Sequence, residues 1–165
     1  MSCPQLIIGL LLASCCISSA QQMTGRVDRI LVLKQQRKMV LLSEGKEIKQ
    51  YRIALGEQPV GPKQRQGDHR TPEGSYTLDA RNPHSQYYKA FHISYPNTED
   101  LEVARKLSVK PGGAIMLHGT PKEFAPPHKG DPPDDWTDGC IAVTNEEMDE
   151  LWIMVRVGTP IEIKP

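Results

Sequence analysis

Apolar residues in this chain gather mostly in short runs bounded by polar and turn residues, the pattern of strands. Arg26 to Leu33 and Lys38 to Ser43 are short β-rich runs, and Lys46 to Leu55 sets Ile48, Tyr51 and Ile53 among polar neighbours as a third. Glu44-Gly45 reads as the turn between the second and third. Gly61 to Asp68 is a polar loop, and Thr71-Pro72-Glu73-Gly74 is a turn leading into a fourth strand, Ser75 to Leu78. Ala90 to Tyr95 is a fifth β-like run that stops at Pro96.

A helical period appears in two places. Asn97, with Asp100 three residues on, predicts a capped helix to about Leu107, with Leu101, Ala104 and Leu107 or Ser108 on one face, and Lys110-Pro111-Gly112-Gly113 ends it. Thr144 with Glu147 predicts a second cap, followed by Met148, Leu151, Trp152 and Val155 at i, i+3, i+4 and i+7, so Met148 and Trp152 read as core. Between the helices, Ala114 to Leu117 is a wholly apolar run that delivers His118-Gly119 to a strand end, and Cys140 to Val143 is a second such run. Five prolines crowd residues 121–133, which predicts a long exposed loop solvated by Asp131, Asp134 and Asp135. Pro160 to Lys164 closes the chain as a strand. The pattern is that of a mainly β domain with two short helices.

Length and charge narrow the function. The 165 residues suit one domain, and 20 Lys+Arg against 20 Asp+Glu leave no net charge and no basic run with which to neutralise a phosphate backbone, so nucleic acid is not an expected partner. Residues 1–25 carry no charged side chain. Leu6 to Ala13 is an apolar run too short to span a bilayer, and small residues follow it, as in a secretory signal peptide occupying residues 1–20. Ser18-Ser19-Ala20 fits ordinary signal cleavage. Leu12-Ala13-Ser14-Cys15 resembles a bacterial lipobox, in which Cys15 would be acylated and a lipid anchor would be the only membrane attachment. Either route exports the protein, to a periplasm or cell envelope.

Cys3, Cys15 and Cys16 lie within that leader, which leaves Cys140 as the one thiol of the folded part. Exported thiols are usually paired, so an odd cysteine is a candidate nucleophile, although a buried structural cysteine is the commoner fate of a lone thiol. A nearby histidine is what activates a thiol, and a glycine just before it lets backbone N–H groups converge on an oxyanion. His118 and Gly139 supply those residue types.

His118-Gly119 with Thr137-Asp138-Gly139-Cys140, Arg70-Thr71-Pro72-Glu73-Gly74 upstream and Gly158-Thr159-Pro160-Ile161 at the end resemble the L,D-transpeptidase catalytic domain of bacterial cell-wall enzymes. The resemblance covers roughly Val27 to Ile163, nearly the whole chain after the leader, and implies a catalytic domain at residues 27–164. It implies an L,D-transpeptidase-type β-sandwich or barrel-like sheet, with Cys140 as nucleophile, His118 as general acid/base, the Gly119 carbonyl as its orienter, and Gly139, Cys140 and Asp138 lining an oxyanion hole. It implies peptidoglycan stem tetrapeptides as substrate, an acceptor that is an amine or water, and no cofactor. Arg70, Trp136 and Thr137 are candidate substrate contacts, with Tyr87 and Tyr88 as groove walls or packing residues. Two departures stand out: Asp138 occupies the place of the family's second histidine, and 21 residues separate His118 from Cys140, more than the common pattern.

Other readings remain open on the residues. A hydrolytic relative would pass the acyl group to water, and a non-catalytic envelope module would only bind peptidoglycan. His118, Asp138 and Cys140 with His69 or His128 contain zinc-ligand types, but no paired ligands sit on one element. His84 and His92 have no partner pattern in the sequence.

Overall fold

The computed structural model describes residues 26–121 and 135–165. The leader with Cys3, Cys15 and Cys16, and His128, Asp131 and Asp134 of the proline-rich loop, lie outside the described residues. The chain runs β1 (Arg29–Leu33), β2 (Lys38–Ser43), β3 (Lys46–Arg52), β4 (Gly74–Ser85), β5 (Tyr88–Ile93), α1 (Thr98–Lys106), β6 (Met116–His118), β7 (Ile141–Ala142), α2 (Asn145–Met154) and β8 (Pro160–Lys164). Among the described residues no helix is long and apolar enough to cross a membrane.

The strands form one sheet in the order β3-β2-β1-β8-β4-β5-β6-β7. Its two ends meet: just past β3, Ala54 exchanges both backbone hydrogen bonds with Ala142 of β7, each at 2.9 Å, so the sheet curls into a barrel-like wrap. That wrap encloses Ile30, Val32, Met39, Leu78, Phe91 and Ile141, all fully buried. The Glu44-Gly45 turn has positive φ at both residues, 51° and 74°, the type whose twist suits a two-residue hairpin. Strand β3 ends at Arg52 rather than Leu55. A register shift opposite Leu41 and Leu42 places Ile48 as an extra residue, which is why its apolar positions are not strictly alternate.

Both helix caps form as the sequence predicts, with reciprocal capping boxes Asn97/Asp100 and Thr144/Glu147. The faces differ from expectation. On α1 only Ala104 is buried, while Leu101 and Leu107 are 50% and 51% exposed. The helix also ends earlier than the proline-glycine run: Ser108 takes φ 55°, and its amide and that of Val109 close back on Arg105 and Ala104, a Schellman ending. On α2, Met148, Leu151 and Val155 are fully buried, and Trp152 sits at the core edge against Phe91, with ring centroids 5.1 Å apart.

A lysine holds the loop that leads to the site. Lys34, 2% exposed at the end of β1, donates all three ammonium protons, to Gly61 O at 2.7 Å, Thr71 O at 2.9 Å and Glu73 Oε1 at 2.7 Å. Burial lowers its pKa, and the Glu73 carboxylate opposes that shift. The Thr-Pro-Glu-Gly turn is thus tied to β1 by a satisfied buried charge.

Candidate active site

The turn that presents Cys140 is built from within. Thr137, 4% exposed, donates through its hydroxyl to the Cys140 carbonyl at 2.8 Å and accepts from the Gly139 amide at 3.1 Å. Gly139 has φ +122°, and a Cβ there would lie 2.4 Å from the Arg70 carbonyl oxygen, so both backbone and space require glycine. The segment after β3 grips this turn: the Thr137 amide donates to Leu55 O at 3.1 Å, and its carbonyl accepts from Glu57 N at 3.0 Å.

Asp135 anchors the start of the same segment. Its carboxylate receives Arg37 Nε at 2.9 Å on both oxygens and the Leu55 amide at 2.9 Å. Sequence reading expects Asp135 to solvate a loop. The structure corrects this: the side chain is 14% exposed and forms a forked ion pair with the β1–β2 turn.

The Cys140 thiol is partly buried and belongs to no disulfide. Its sulfur accepts from the Met116 amide at 3.4 Å and faces the Ala114 carbonyl at 3.7 Å. Burial pushes the thiol above its ordinary range; the Met116 hydrogen bond and the Lys63 ammonium oppose the shift, and the Asp138 carboxylate adds to it. Ala114 holds φ 55°, a left-handed conformation that costs a non-glycine residue energy, so the carbonyl facing the sulfur lies in strained backbone.

His118, at the end of β6 and 2% exposed, donates from Nδ1 to the Gly119 carbonyl at 2.6 Å. A carbonyl only accepts, so the proton is on Nδ1 and Nε2 keeps its lone pair. Burial drives the imidazole below the usual histidine range, and the Gly119 bond opposes it. Gly119 is itself enclosed: a Cβ there would meet Asn145 Oδ1 at 2.4 Å. Asn145 Oδ1 also accepts from the Thr120 amide at 2.8 Å, which fixes the chain just after the histidine.

His118 and Cys140 line one cleft of about 480 Å³, whose walls include Ala114, Met116 and residues of the β4–β5 hairpin. The hairpin brings Tyr87 onto His118, with centroids 4.6 Å apart, and Trp136 packs edge-on to the same imidazole at 5.7 Å. Tyr88 turns the other way, its hydroxyl donating to Asp149 of α2 at 2.9 Å. A thiol and an imidazole of fixed tautomer that line one cleft are the residue types that exchange a proton as a sulfur attacks a carbonyl.

The remaining sequence candidates fall differently. The Gly139 amide is committed to Thr137, so from the expected oxyanion set it leaves the amides of Cys140 and Asp138. Thr137 spends its hydroxyl inside the turn and does not present it to a substrate. The Arg70 side chain lines a separate polar hollow with Gln58, Gln64 and Asp68, away from the Cys140 cleft. Asp138 is 89% exposed and accepts from His69 Nδ1 at 2.7 Å. His92 donates from Nδ1 to Asp79 at 2.6 Å, a partner the sequence did not show. Among the described residues no three His, Cys, Asp or Glu side chains come together as a metal site. The sequence passed over Asn145; His84, without a partner pattern in the sequence, lines the cleft, and Asn82-Pro83, a turn-forming pair inside an otherwise extended run, was the available signal for it.

Comparison with known proteins gives the family. The family model for the L,D-transpeptidase catalytic domain, YkuD, matches residues 27–163. YafK of Escherichia coli (strain K12), provisionally named an L,D-transpeptidase, is 32% identical over 141 residues, covering 82% of this chain and 50% of YafK. The helical cell shape determining protein Pgp2 from Campylobacter jejuni aligns with a TM-score of 0.64 and 26% identity over 86% of this chain and 48% of its own. Bd1075 from Bdellovibrio bacteriovorus aligns at 0.58 and 31% identity, over 85% and 48%. The chain spans about half the length of the curated relatives it matches. The matched span contains β1 to β7, both helices and all of β8 but Lys164, together with His118 and Cys140, and the chain belongs to the L,D-transpeptidase catalytic domain family.

Proposed function

We propose that the protein is an exported peptidoglycan L,D-transpeptidase that works through a Cys140 acyl-enzyme. The observation that carries this reading is the His118 Nδ1 bond to Gly119 O, which leaves Nε2 as a base in the cleft that also holds Cys140. Cys140 Sγ attacks the carbonyl between an L-centre and the terminal D-residue of a stem tetrapeptide, and the thiol proton passes to His118 Nε2. The Cys140 and Asp138 amides receive the developing oxyanion. The carbon–nitrogen bond then breaks, His118 returns its proton to the departing D-alanine amine, and a thioester remains. An amine acceptor forms a new amide and restores the thiol; water in its place gives hydrolysis.

Family membership supports a transpeptidase-type enzyme of the cell wall, and the apolar leader supports export. The test is incubation of the protein with disaccharide-tetrapeptide, with and without a D-amino acid, and mass spectrometry of the products beside Cys140→Ala. Exchange or dimer formation that disappears in the variant supports transpeptidation. Cleavage alone reassigns the chain as a hydrolase, and no turnover with no thioester on Cys140 overturns the catalytic reading.

A further inference from the structure

Strand β4 continues far beyond the predicted Leu78, to Ser85, and carries an irregularity at the cleft. Asn82 pairs with Ala90 and Ser85 with Tyr88, so β4 advances three residues while β5 advances two. Such a bulge re-aims a side chain, and it commonly lies beside an active site. Its chemistry suits the shape: Pro83 has no amide proton to lose from the ladder, and the His84 amide is satisfied by the Asn82 side chain at 2.9 Å. His84 is thereby placed on the wall of the cleft that contains His118 and Cys140.

The described walls of this cleft include no lysine or arginine. Its other titratable groups are Tyr87, Cys140 and His118, and the last is stacked under Tyr87 and tied to Gly119, with burial holding it neutral. The hairpin's other cations face elsewhere: the Arg81 guanidinium lies over the Phe91 and Trp152 rings, and Lys89 pairs with Asp149. An enzyme that releases only a terminal residue must read the chain end, and the mark of that end is a free carboxylate next to the scissile bond.

We infer that His84, donating from an imidazole N–H, binds the C-terminal carboxylate of the donor peptide and makes the site specific for a free chain end. The inference rests on the acyl-transfer reading above. The residue sets substrate affinity, whereas His118 and Cys140 set the chemistry.

The test uses the full chain carrying Cys140→Ala, with calorimetric Kd values for stem tetrapeptide as free acid and as C-terminal amide. The free acid is expected to bind roughly tenfold more tightly than the amide, the size of one charge-assisted contact. His84→Ala removes that preference, His84→Lys keeps it, and binding of the amide does not respond to either substitution. An equal preference for the free acid in the parent and His84→Ala, or amide binding as tight as free acid in the parent, overturns the inference. Turnover with Cys140 intact separates the two readings. Turnover with an unchanged KM in His84→Ala sinks this inference alone. Binding that follows His84 without turnover supports it while removing the catalytic reading, and absence of peptide binding removes both.

Discussion

The Tyr87 ring lies over the His118 imidazole with centroids 4.6 Å apart and planes tilted by 33°, so one face of the proposed base is closed to water. The shielding helps explain why burial is the largest influence on this histidine and why its charged form is disfavoured. Tyr87→Ala is expected to admit water, raise the His118 pKa toward the ordinary value and carry the acid limb of kcat upward in pH. Tyr87→Phe keeps the ring and should leave that limb in place; equal limbs in Tyr87→Ala and the parent would refute the shielding role.

In the proposed mechanism the dyad reacts while both partners are neutral. Because His118 is shifted down and Cys140 up, the neutral pair persists across a window wider than the ordinary imidazole and thiol values define. The pH profile of kcat is expected to be a broad plateau, falling on the acid side only below about 6.5, the usual histidine value. The lowered histidine pKa also means that the unfolded chain binds a proton before the folded one does. Stability should therefore decline as pH falls through the unfolded value toward the folded one, and the decline should be smaller in His118→Gln. Thermal melts from neutral to mildly acid pH check the sign.

Asp138 is one of the groups that raise the Cys140 pKa, and it is exposed enough for salt to screen it. Asp138→Asn should lower the apparent pKa of thiol alkylation by a fraction of a unit at low salt and by less at high salt. An unchanged or higher value would show that the carboxylate does not act on the sulfur.

Lys34 answers a different question, that of stability. Lys34→Met leaves the Glu73 carboxylate and two backbone carbonyls without their cation, and an unpaired buried charge costs about 3 kcal/mol or more. Denaturant unfolding should show that loss, and adding Glu73→Gln should recover part of it. A double variant no more stable than Lys34→Met would mean that the carboxylate is not what suffers.

Gly139→Ala forces a Cβ to within 2.4 Å of the Arg70 carbonyl oxygen in a backbone conformation that alanine rarely adopts. Strain of that kind costs about 1–3 kcal/mol and displaces the turn that presents the thiol. Alkylation of Cys140 in the folded protein should change rate, and the melting temperature should fall.

The candidate dyad was legible in the sequence because its residue types and neighbours are unusual: a cysteine after glycine that stands alone outside the apolar leader, and a histidine at the end of an apolar run. Both helix caps were legible because a capping box is a local device. What escaped was set by distant pairing. The polar half of β4 reads as loop, and it is a strand only because β5 pairs with it. Asp135 looks like loop solvent until the β1–β2 turn brings Arg37 to it across 98 positions. The apolar stripe expected of α1 failed because only Ala104 of that helix is buried, so Leu101 and Leu107 stay half exposed.

The grip on Asp135 has a consequence for variation. Asn145 fixes the chain at Thr120, and Arg37 with Leu55 fixes it again at Asp135, so the polypeptide is pinned on both sides of the proline-rich stretch before it reaches Cys140. The spacing between base and nucleophile along the chain is thereby uncoupled from their spacing in the cleft. A change of length between the two anchors is therefore expected to leave His118 and Cys140 facing one cleft, since the contacts that hold each of them lie outside that stretch.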